Sequence, residues 1–125
     1  MNFYFVIAAA LAFAVGLVHS WLGERYILMR LFRRPDIPHL FGSDEFTKRT
    51  LRFAWHITTV ALFGAAALLL IVASFPLDAS ARRFSTAIAV TFLVSALVAL
   101  IGSRGRHLSW VVFLLIAGLV WLGMR

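Results

Sequence analysis

Four apolar stretches, residues 3–22, 53–75, 84–102 and 108–124, take up most of the chain and limit what it can fold into. Each approaches the roughly 20 residues that a helix needs to cross about 30 Å of hydrocarbon at 1.5 Å per residue. A soluble domain of 125 residues would need far more charge to cover them, because Asp, Glu, Lys and Arg make up only 14% of the chain and apolar residues 62%. The mean hydropathy of +0.94 points the same way. The expected fold is all-α, a single transmembrane domain over 1–125 built as an up-down-up-down bundle of four transmembrane helices.

Flanking residues support these spans. Trp110 and Trp121 stand near the two ends of the last and shortest stretch, as interfacial anchors do. No basic run precedes Phe3 and no clear small-residue cleavage site follows the first stretch, so it reads as a retained span rather than a signal peptide. Pro76 to Ser80 reads as a turn in which Asp78 or Ser80 caps the third helix, and Gly102 to Arg106 as a tight hairpin.

The connection over 23–52 is longer. Its early part mixes Tyr26, Ile27, Leu28, Leu31 and Phe32 with Arg25, Arg30, Arg33 and Arg34 at helical spacing, until Pro35 and Pro38 break the pattern. An amphipathic helix lying on the lipid fits residues 24–34 somewhat better than a continuation of the first helix, since apolar residues would otherwise face water. Ser43 is the expected N-cap of the second helix, which then starts near Asp44, before the membrane is reached.

Charge sets the orientation. Arg25, Arg30, Arg33, Arg34, Lys48, Arg49, Arg52, Arg104 and Arg106 fall on one side, and only Arg82, Arg83 and Arg125 on the other. Basic loops stay in the cytoplasm, so both termini are expected in the periplasm of a bacterial inner membrane. The net charge of +7 thus reports topology and lipid contact rather than nucleic acid, which is not expected as a partner. With no cysteine, disulfide exchange and thiolate or iron–sulfur ligation are excluded.

Three histidines gather at the cytoplasmic face. With Glu24 and Arg52 as interface markers, His19 and His56 lie roughly 6 to 8 Å deep on neighbouring helices, and His107 opens the fourth helix. Imidazoles at matching depth suit either of two ligands: haem b between His19 and His56 with Arg25 and Arg52 near its propionates, or a divalent metal held by His19, Glu24, His56 and His107. Glu24 and Arg52 are expected to pair. Against this stand interfacial histidines without a ligand and a role in proton or ion handling. His39, in the Pro-bounded loop, reads as solvated.

Ala8, Ala12, Gly16 and Ser20, spaced by four, form a small-residue stripe suited to close helix contact, and Ala61, Gly64 and Ala65 suggest the same for the second helix. No carboxylate lies within a span, which argues against the small multidrug exporters, and the charge bias argues against dual topology. The pore signature of small fluoride channels is missing, and so are H-E-x-x-H, G-x-S-x-G and P-loop motifs. Nothing here points to catalysis.

The expectation is a small inner-membrane protein of binding or accessory type. Its cofactor is open between haem b, a divalent metal and none. Its expected partners are membrane lipids, with a larger membrane complex or a homo-oligomer as further candidates. The alternatives are a ligand-free subunit or assembly factor, and a small ion or solute transporter.

Overall fold

The computed structural model describes all residues, Met1–Arg125, and every regular element in it is helical. We number four helices: α1, Phe3–Leu31; α2, Glu45–Ser74; α3, Ala79–Ser103; and α4, Ser109–Gly123. The first three are long and apolar enough to cross a membrane, whereas α4, with 15 residues, is shorter.

Residues 24–31, expected to lie flat on the lipid, instead continue α1, with a π-helical turn over Gly23–Leu28. The amphipathic pattern fits both arrangements. Packing against α2 favours the continuation, because Leu28 is buried and Phe32 lies under the Arg52 guanidinium, 5.0 Å from its ring centroid. Between the helices, Leu40 and Ser43 bridge across a tight turn with Phe41 and Gly42 at positive φ. Ser43 does not cap α2. Asp44 holds the N-cap position without a side-chain cap bond, and its carboxylate pairs with Lys48 at 2.6 Å.

Contacts between α1 and α2 run in opposite senses along the two helices. The Asn2 amide donates to the Ala73 carbonyl, Phe13 stacks on Phe63, Ser20 meets His56 and Glu24 meets Arg52. The small-residue stripe makes this closeness possible: Ala8, Ala12 and Gly16 are buried, and a Cβ on Gly16 would come within 2.9 Å of the Phe63 ring.

The end of the bundle near Asn2 is tied shut. The Asn2 side chain donates to the Gly123 carbonyl, Arg82 donates to the Met124 carbonyl, and the Asp78 carboxylate accepts from Ala81 N–H as the cap of α3. Phe5, Leu69, Ile116 and Val120 fill the core there.

One side of the bundle is open. α1 packs on α2 and α4, and α3 packs on α4, but α2 and α3 pack together far less than any other neighbouring pair. The ring of helices α2–α1–α4–α3 therefore has a gap between its first and last members.

Candidate functional site

Trp55, half-buried on α2, organises the α1–α2 contact. Its indole stacks on the His19 imidazole with centroids 4.7 Å apart and planes 2° apart, and its Nε1 donates to the His19 carbonyl at 3.1 Å. That carbonyl lies where α1 passes into its π-turn. Gly23 leaves the space for the ring: a Cβ there would fall 2.0 Å from Trp55 Nε1.

The hydrogen bonds fix how each imidazole is used. The Thr58 hydroxyl donates to the Trp55 carbonyl at 2.6 Å, so its oxygen accepts from His19 Nε2–H at 2.8 Å, which leaves His19 Nδ1 as the free lone pair. His56 is engaged at both nitrogens. Its Nδ1 takes the Ser20 hydroxyl at 2.5 Å, and its Nε2–H donates to Glu24 at 3.3 Å. Glu24 also receives Arg52, Nε at 3.2 Å and a terminal nitrogen at 3.0 Å, which is the ion pair expected from sequence.

These bonds separate the two histidines expected to share a ligand. His19 faces the gap between α2 and α3, while His56 lines a shallow hollow on the other flank of α2 with Arg49, Arg52 and Phe53. His56 keeps no lone pair for a metal, and no three His, Asp or Glu side chains converge as a metal ion would require. The bis-imidazole pocket of His19 and His56 is therefore not assembled. Arg25 lies away from both cavities, near the Tyr26 ring at 6.0 Å. The row Ser20–His56–Glu24 links α1 to α2 by side-chain hydrogen bonds and braces the two helices.

His107 does meet His19 at a common cavity. The gap between α2 and α3 encloses a cleft of about 1500 Å³ whose walls are mostly apolar. Along α2 it runs from Trp55 to Val72, about 25 Å at 1.5 Å per residue. Small side chains make the room: Ala61, Gly64 and Ala65 on α2 and Ala87, Thr91 and Ser95 on α3. Gly64, expected to serve close packing, instead borders open space, with nothing within 4 Å of an added Cβ.

The cleft has a polar end. His19, Thr58, Arg106, His107 and Ser109 line it, and no carboxylate does. At His107, Nδ1 accepts the Ser109 amide at 3.2 Å, which puts the proton of the neutral ring on Nε2 as a donor with no partner. The sequence pointed to His19 and His107 but not to Arg106 or the cleft walls, since their adjacency depends on how distant helices are arranged. No known protein family, curated protein or solved structure matches this chain.

Proposed function

We propose that this chain is a four-span bacterial inner-membrane protein that binds an amphiphile in the cleft between α2 and α3. One observation carries the reading: a long, mostly apolar cleft, open between two helices, with its charged and imidazole side chains at one end only. Such a cavity suits a molecule with an apolar body and a polar head, buried along most of its length. The nine basic residues at the Arg52 and Arg106 end support a cytoplasmic position for that end, with both termini in the periplasm.

Membrane lipids and haem b share this chemistry. In the haem case His19, whose Nδ1 keeps a free lone pair, is the imidazole available, rather than the pair His19 and His56. Purification in mild detergent, followed by a visible spectrum and analysis of the organic extract, tests the proposal. About one equivalent of amphiphile per chain supports it, a Soret band selecting haem and its absence with bound lipid selecting lipid. A chain carrying neither contradicts it and leaves a ligand-free subunit of a larger complex as the better reading.

A further inference from the structure

Arg106 is the only Lys, Arg, Asp or Glu side chain along the whole cleft, and its guanidinium has no carboxylate partner and no hydrogen bond within the chain. Four other basic residues near the same face are paired, Arg52 with Glu24, Arg49 with Glu45, Lys48 with Asp44 and Arg34 with Asp36, and of those without a carboxylate partner only Arg106 lines the cleft. An unpaired guanidinium at the mouth of an apolar cavity is a site for an anion, since its planar fork of donors matches phosphate or carboxylate oxygens. The free Nε2–H of His107 adds a donor from the adjacent residue.

We propose that the cleft selects an anionic phospholipid of the cytoplasmic leaflet, its phosphate held by Arg106 and His107 and one acyl chain lying along Gly64, Ala65 and Leu68 toward Phe84. This rests on the amphiphile reading and adds the class of ligand. Charge complementarity is the reason for choosing an anionic head: the mouth carries a cation and neutral donors, and no acidic residue that would favour a choline or ethanolamine group. The gap between α2 and α3 lets the chain pass sideways from the bilayer, so the polar head need not cross hydrocarbon.

The cavity's length agrees. About 25 Å from Trp55 to Val72 exceeds the half-thickness of the hydrocarbon core, about 15 Å, so an acyl chain fits lengthwise with its head at the interface. The opposite end carries no cation in the lining, only Phe84, Ile71 and Val72, which fixes the direction in which the lipid lies.

Native mass spectrometry of the delipidated full chain tests this. The probes are phosphatidylglycerol and phosphatidylcholine with identical acyl chains. Both lipids present a phosphate, but the choline cation of phosphatidylcholine meets a cationic mouth with no carboxylate, so phosphatidylglycerol is expected to bind about tenfold more tightly, a difference of about 1.4 kcal/mol. The preference should vanish in Arg106→Gln, and Gly64→Phe should abolish binding of both lipids, because its ring enters the open space beside residue 64. Equal binding of the two lipids by the parent, or a preference that survives Arg106→Gln together with His107→Leu, overturns the headgroup assignment and leaves the amphiphile reading intact. Binding of neither lipid overturns both.

Discussion

The Trp55 indole lies flat on the His19 imidazole and donates to the His19 carbonyl, so one side chain of α2 holds both the ring and the backbone of the same α1 residue. The contact exists because Gly23 has no Cβ. Gly23→Ala is expected to displace the indole and destabilise the fold by about 2 kcal/mol, the range of core overpacking. Gly64→Ala, at a position with open space, should be neutral or stabilising by up to about 1 kcal/mol. Unfolding in mixed detergent micelles, followed by tryptophan fluorescence, measures both. Equal stability of Gly23→Ala and the parent would remove the role given to the glycine.

Ser20 and His56 form a brace whose strength is measurable. In a double-mutant cycle of Ser20→Ala and His56→Ala, a coupling of about 1 kcal/mol is expected, the usual net value of a protein hydrogen bond. His56→Ala should leave amphiphile binding unchanged, because His56 lines the opposite flank of α2. Loss of ligand in that variant would mean that His19 and His56 share a site after all.

Arg104 closes α3 in the left-handed conformation, φ 52°, with Gly105 N–H bonded to the Leu100 carbonyl and Arg104 N–H to that of Ile101. A side chain pays for that backbone conformation and glycine does not. Arg104→Gly should therefore stabilise the chain by about 1 kcal/mol in the same unfolding assay. Destabilisation would contradict the left-handed cap.

The Lys48 ammonium, bonded to the Asp44 carboxylate just ahead of α2, holds that carboxyl below the ordinary carboxylate range. A depressed folded-state pKa contributes stability above the unfolded value and loses it as pH falls through the folded value. Carbon-13 NMR should place the Asp44 midpoint below 3.8 in the parent, with a rise toward 3.8 in Lys48→Met. An unchanged midpoint would exclude Lys48 as the cause.

Reporter fusions at His39 and Gly105 should behave as cytoplasmic, and fusions at Ala79 and after Arg125 as periplasmic, following the charge asymmetry. A periplasmic signal at His39 would invert the orientation and with it the leaflet assigned to the cleft.

The helices were legible in the sequence because hydropathy is a local property, and so were the Asp78 cap and the Glu24–Arg52 pair, which follow from spacing and charge. The partners of the histidines were not. Equal depth along two helices says nothing about rotation, and rotation here is set by Gly16 against Phe63 and Gly23 against Trp55. His19 turns to one flank of α2 and His56 to the other as a result. The cleft was hidden for a related reason: a small-residue stripe permits close packing or leaves a void, and only the arrangement of all four helices decides which. On α1 the stripe is buried, whereas at Gly64 it faces open space.

The measurement closest to the central claim is the amount of amphiphile retained by the parent and by Gly64→Phe, purified side by side in mild detergent and weighed by native mass spectrometry. About one bound molecule per chain is expected in the parent and none in the variant, with equal helix content by circular dichroism, because residue 64 faces the cleft and no other side chain. Equal occupancy in the two proteins, or none in either, would contradict a ligand between α2 and α3.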